Sequence, residues 1–242
     1  MKLWHDIATI LWKEWREFGP RKSNPYVNWL SIGVMLALSG IVLPIQMGSL
    51  FVKHGELLVG FNLFYGVLMA MITAVDSFAG ERERKTLETL LASRLPDKAI
   101  LLGKMLFALL FMVALVACGC VLSLASVTIA QRQFPAAEPL VTLAFIIAGT
   151  GIAVLVISVA VLISVRATSL QHAMQTIGWM ISIPCILLMF LMRYLIPLLD
   201  GSKHYDTASL VRIGLLLLLV LDFLAIEFVM SRFKRSRVFA GK

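Results

Sequence analysis

Residues 76–104 read DSFAGERERKTLETLLASRLPDKAILLGK, and the fold follows from what stands on either side of them. They form the longest polar interval between two apolar runs, 57–75 and 105–130, each long enough to cross a hydrocarbon core of about 30 Å. Their charges nearly balance, with Asp76, Glu81, Glu83, Glu88 and Asp97 set against Arg82, Arg84, Lys85, Arg94, Lys98 and Lys104. Leu87, Leu90 and Leu91 recur at helical spacing with Leu95 one turn on, and Pro96 closes the segment. A short amphipathic helix with a charged lead-in, held between two spans, is shaped to sit in a groove on another protein. The plainer reading is a solvated loop with one helical turn.

The rest of the chain agrees with a membrane setting. Of 242 residues, 60% are apolar and only 15% charged, outside the range of a soluble domain. The apolar residues fall into six blocks, expected as spans over 27–46, 57–75, 105–130, 140–165, 176–192 and 208–230. The loop QRQFPAAEP carries two prolines that forbid a continued helix between the third and fourth. Between the fifth and sixth, 194–199 reads either as a re-entrant turn or as an extension of span five kinked at Pro197.

Residues 1–24 form an expected elbow. Trp4, Ile7, Ala8, Leu11, Trp15 and Phe18 share one helical face, and Lys2, Asp6, Thr9, Lys13 and Arg16 share the other. Tryptophans beside bases suit a helix lying in the membrane interface, its lysines reaching water. Gly19-Pro20 and Asn24-Pro25 end it. Charges run throughout its first 18 residues, so no cleavable signal peptide is expected.

The net charge of +8 raises the question of nucleic acid, but the bases cluster beside the spans, which points to lipid headgroups and topology. Seventeen Lys and Arg fall in the N-terminal segment, 76–104, 166–175 and the tail 231–242, against five on the other side. The positive-inside rule therefore places both termini and residues 76–104 in the cytoplasm of a multi-pass protein of the cell (inner) membrane.

Chemistry of the chain's own is not expected. Gly103-Lys104 lacks the earlier glycine of a phosphate-cradling loop, and neither HExxH nor GxSxG occurs. His5, His54, His172 and His204 lie in four separate polar segments, so no metal site is expected. Cys118, Cys120 and Cys185 sit in apolar runs and read as small core residues. Paired catalytic residues at matching depth, which an intramembrane enzyme would need, are missing.

The string Phe78-Ala79-Gly80-Glu81-Arg82-Glu83, then Thr86-Leu87-Glu88, Leu90-Leu91, Pro96 and Gly103-Lys104, resembles the signature of type-2 ABC (ATP-binding-cassette) transporter permeases. The resemblance implies an all-α integral membrane protein: an amphipathic interfacial elbow helix, six transmembrane helices and a cytoplasmic coupling helix between spans two and three. It implies one permease domain over 1–242, with Glu81, Arg82, Glu83, Thr86, Leu87, Glu88 and Leu91 in the region that meets an ATPase subunit. Partners implied are two ATPase copies, a second permease copy or related permease, and the bilayer, with ATP and Mg held by the ATPase and no cofactor by this chain. Export is the expected direction, of a substrate the sequence leaves open. A non-transporting module, in which an ATPase drives regulation or assembly of another complex through 193–205, is the alternative.

Intramembrane polar residues are the other candidates, since a charge at mid-span costs roughly 2.5 to 3.5 kcal/mol. Asp222 reads as part of a polar pathway or an interhelical lock reached by Arg166, or as a structural acid near the inner boundary. Asn62, Gln46 and Thr73 are milder candidates, more often interhelical hydrogen bonds than ligands. Thr86 is a candidate N-cap, and Gly33-xxx-Ala37 and Gly149-xxx-Ala153 are candidate close-packing faces.

Overall fold

The computed structural model describes residues 2–17, 25–83, 86, 96–166, 169, 171–179 and 207–232. Among them every regular element is helical. In chain order these are α1 (Lys2–Glu17), α2 (Pro25–Ala37), α3 (Leu43–Gln46), α4 (Gly48–Lys53), α5 (Glu56–Val75), α6 (Glu81–Glu83), α7 (Asp97–Gln131), α8 (Pro139–Arg166), α9 (171–179) and α10 (Thr207–Arg232). The helical stretches Glu56–Glu83, Asp97–Gln131 and Pro139–Ser164 are long and apolar enough to cross a membrane, and Leu30–Gln46 is a shorter apolar helix. The chain is thus an all-α, membrane-embedded protein. The expected fifth span lies mostly outside the described residues, as do Leu87, Glu88 and Leu91 of the expected coupling helix and the tail 233–242.

Two helices contain a wider π turn, and each has a visible consequence. The first, Leu38–Val42, joins α2 to α3 just before Pro44. Proline has no N–H to give to the carbonyl four residues earlier, and its ring crowds that carbonyl, so Gly40 loses its α-helical partner and the turn widens. The Gly40 carbonyl instead accepts from the Ser126 hydroxyl of α7 at 2.8 Å. A Cβ at Gly40 would stand 2.8 Å from Leu122 Cβ, so the absence of a side chain lets α7 approach the turn. The second π turn, Asp76–Gly80, carries α5 on into α6.

α7 begins at Asp97, eight residues before the expected start of the third span, because Pro96 fixes the helix entry and nothing in 97–104 breaks it. It runs unbroken for 35 residues, about 52 Å at 1.5 Å per residue, and ends at Arg132, whose left-handed φ of 51° stops the helix. α5, α7 and α8 pack together around Leu63, Ala70, Ala74, Met112, Ala153 and Ile157, with small residues at the closest approaches. α1 lies on the start of α7, and α10 packs on α8. At the far end of the bundle, Gly55 N–H donates to Ala136 O at 2.7 Å and Ala136 N–H to Val52 O at 3.0 Å, which pins the two connecting loops together.

Two sequence expectations are corrected here. The face of α1 that packs inward is Ile7, Ile10 and Glu14, whereas Trp4 and Trp15, expected on one face with Ile7, stand exposed with Trp12. The inner face is rotated because Gly103 leaves room for Ile10, whose Cβ would lie 2.7 Å from a Cβ at Gly103. Gly149 packs closely, against Leu63, whereas a Cβ built at Gly33 meets nothing within 4 Å among the described residues. Cys118 is exposed on α7 and is not a core residue.

Candidate functional site

Where α1, the second π turn and the start of α7 meet, four charged side chains form one ionic knot. Lys104 is 1% exposed, deeper than any other charged side chain among the described residues. Its ammonium donates to Glu14 Oε1 at 2.7 Å and to the Ser77 carbonyl at 2.7 Å, and lies 3.0 Å from Glu81 Oε2. The last contact is an ion pair without the alignment of a hydrogen bond. The Phe78 ring stacks beneath the same ammonium, its centroid 5.2 Å away. Glu81, 6% exposed, is held from its other side by Lys13, which donates to Oε1 at 2.6 Å. Lys13 also lies 3.4 Å from Glu17 and 3.7 Å from Glu14. Burial pulls the Lys13 ammonium down, but Glu81, then Glu14 and Glu17, outweigh it and hold the group above its ordinary value.

The knot joins three elements far apart in sequence. Glu14 sits one α-helical repeat beyond Ile10 and Ile7 on the buried stripe of α1, so the packing that seats those isoleucines aims the carboxylate at Lys104. The Ser77 carbonyl, within the second π turn, accepts from the same ammonium. Two ammonium groups and two buried carboxylates neutralise one another here, which is the condition for holding charge away from water.

A second polar cluster lies further along the bundle. Asn62, 3% exposed on α5, donates to Ser123 Oγ of α7 at 2.8 Å and to Leu58 O at 2.8 Å. Ser123 in turn donates to Gly119 O at 2.6 Å and lies 3.4 Å from Ser39 O in the first π turn. A Cβ at Gly119 would overlap Asn62 Oδ1, so only glycine leaves this clasp room. α7 thus holds the first π turn through Ser123 and Ser126 and the second through Lys104.

The sequence-selected residues fall in different places. Glu81 is buried in the knot, so its carboxylate is engaged inside the chain, while Arg82 is half-buried and Glu83 and Thr86 are exposed beyond it. The Thr86 hydroxyl and amide both bond the Glu81 carbonyl, at 3.2 and 2.9 Å, closing the end of α6; the helix it was expected to cap lies outside the described residues. Lys13, expected to reach water, is ion-paired to Glu81. Asn62 is an interhelical hydrogen bond, and Thr73 bonds its own helix at Met69 O. Gln46 is exposed.

Asp222 is 8% exposed and stands against Gly151, in the middle of α8, where a Cβ would come within 3.1 Å of Oδ2. It lies in the interior of α10, fifteen residues after its first. Its Oδ1 has no hydrogen-bond partner among the described residues, and the Arg166 side chain lies outside them. No group of metal-ligating residues occurs among the described residues.

Sequence reading missed Glu14 and Lys104 as a pair. The signal was faint: a glutamate on an isoleucine stripe, and a lysine behind a glycine at the head of an apolar run. Residues 38–194 match the family model described as ABC-2 family transporter protein. No curated protein matches the chain.

Proposed function

The chain belongs to the ABC-2 family of transporter proteins, and on that premise we propose that it is the membrane-spanning permease subunit of an ABC exporter. In this reading one permease domain over 1–242 crosses the membrane six times with both termini cytoplasmic. Residues 76–104 are the coupling segment that a separate ATPase subunit moves. The observation that carries it is the ionic knot. A coupling handle works only if its displacement reaches the spans, and Lys104 and Glu81 tie the base of the polar segment to α7 and α1 at once. ATP and Mg belong to the partner, present in two copies, and a second permease completes the transporter.

The docking surface begins beyond Glu81, at Arg82, Glu83 and Thr86, and continues into Leu87, Glu88 and Leu91, with leucines as anchors and acids setting register. Glu81 acts behind that surface as the link into the membrane. The test is affinity co-purification of the tagged chain in mild detergent beside a Glu83→Lys, Leu87→Asp variant. A nucleotide-binding ATPase retained by the parent and lost from the variant supports the reading. Its absence from both, or full retention by the variant, sinks it. Stimulation of that ATPase only by a protein partner, never by a small solute, would favour the non-transporting module.

A further inference from the structure

The bundle divides into a polar-clamped half and an apolar half. α5 and the π turn that continues it are fastened to α7 at two levels, by Asn62 to Ser123 and by Ser77 O to Lys104. Along α7 those levels are 19 residues apart, about 28 Å, so two directional contacts fix both register and tilt. The first span is added to this frame by Ser126 on Gly40 O, and α1 by Glu14 on Lys104. Each bond is set by donor and carbonyl position, so sliding α7 along any of these partners breaks at least one.

The contact of α5 with α8 is of another kind. Thr150, Ser158 and Ser164 each spend their hydroxyl on a carbonyl of α8 itself, and Thr142 on Glu138 O just before it. Between 57 and 75 the polar side chains of α5 with hydrogen bonds, Asn62 and Thr73, turn to α7 and to α5's own backbone. What remains between the two helices is apolar packing alone: Leu63 against Gly149, Gly60 against Phe145, and Ala70 and Ala74 in one buried cluster with Ala153 and Ile157, with a groove of ≈ 670 Å³ alongside, walled by Val67, Met71, Ala148 and Ile152 among others. Apolar contact is non-directional, and empty volume beside it lets side chains change partners without leaving a polar group unpaired.

We infer that the α5–α8 contact is the shear plane of the protein: α1, the first span, α5 and α7 move as one body with the coupling segment, and α8 slides against them. The inference rests on the permease reading above and specifies what the coupling stroke displaces. It makes the groove a consequence of motion, and the Asn62 and Lys104 clasps its rigid backing.

The test uses two disulfide locks in a chain with Cys118, Cys120 and Cys185 replaced, assembled with its ATPase in proteoliposomes. Leu63→Cys with Gly149→Cys bridges the shear plane, and Gly66→Cys with Val116→Cys bridges the clamped pair, each where a Cβ added at the glycine would meet the partner side chain. The reduced form of each variant is its own control for folding. Oxidising the first pair is expected to lower ATP turnover by at least about tenfold, reversibly by reductant and with the ATPase still bound, while oxidising the second leaves it within about twofold. Turnover unaffected by the first lock, or lowered equally by the second, overturns the shear plane. If no ATPase accompanies even the reduced chains, the permease reading itself fails and the inference falls with it.

Discussion

Replacing Lys104 by methionine keeps the length of the side chain and removes one charge from the most enclosed position in the knot. Three contacts go at once: Glu14 at 2.7 Å, Ser77 O at 2.7 Å and Glu81 at 3.0 Å. Among the described residues Glu14, 8% exposed, is left with Lys13 at 3.7 Å, and the Ser77 carbonyl loses its ammonium donor. Removing one partner of a buried ion pair costs about 3–5 kcal/mol, and Lys13, still on Glu81, returns part of that. A net loss of about 3 kcal/mol corresponds to a fall in Tm of roughly 6–12 °C for a chain of this size. The assay is size-exclusion fluorescence of the detergent-solubilised protein after stepwise heating. Adding Glu14→Leu to Lys104→Met removes the stranded acid and should recover at least about half of the loss, a coupling that a double-mutant cycle measures directly. A Tm for Lys104→Met within about 1 °C of the parent, or a double variant worse than the sum of its singles, would refute the knot as described.

Other outcomes follow from the same geometry. Gly119→Val drives a side chain into Asn62 Oδ1 and should cost about 1–3 kcal/mol in the same assay, with Gly119→Ser the milder case. Gly103→Val should prise Ile10 and α1 from α7 and, by separating Glu14 from Lys104, make the stability of Lys104→Met no worse when combined with it. Asp222→Asn is expected to leave thermal stability unchanged or raise it, because a buried carboxylate oxygen with no partner among the described residues contributes nothing that an amide loses; a fall in Tm of more than about 3 °C would show a partner at work. In a chain with Trp29 and Trp179 changed to Phe, the exposed Trp4, Trp12 and Trp15 should be quenched by lipids brominated near the headgroup more than by those brominated at the chain end. Equal quenching by both would remove α1 from the interface.

Much of this architecture is legible in the sequence because the bilayer demands it. Long apolar runs must be helices, and Pro96 and the QRQFPAAEP loop mark boundaries that the helices at Asp97 and Pro139 respect. The family is legible too, from the order of charges and leucines after Phe78. The ionic knot is not, because its partners are 68 and 90 residues apart and each has an ordinary local reading. Lys13 looks like a water-facing lysine, Glu81 like a docking acid and Lys104 like a topogenic base. Only the burial of α1 on the Gly103 side of α7 turns them toward one another. The first π turn was equally hidden, since Pro44 signals a broken helix without saying that Ser126 will take up the carbonyl it strands.

The most direct test of the account is to ask which end of the bundle an ATPase touches. A photo-activated crosslinking residue placed in turn at Glu83, Leu87 and Phe134, with the protein in its native membrane, reads contact without purification. Phe134 is exposed and lies in the loop at the other end of α7. The account predicts a covalent adduct with a nucleotide-binding ATPase from positions 83 and 87 and none from 134. Adducts from 134, or none from 83 and 87 while the protein is abundant and folded, would contradict it.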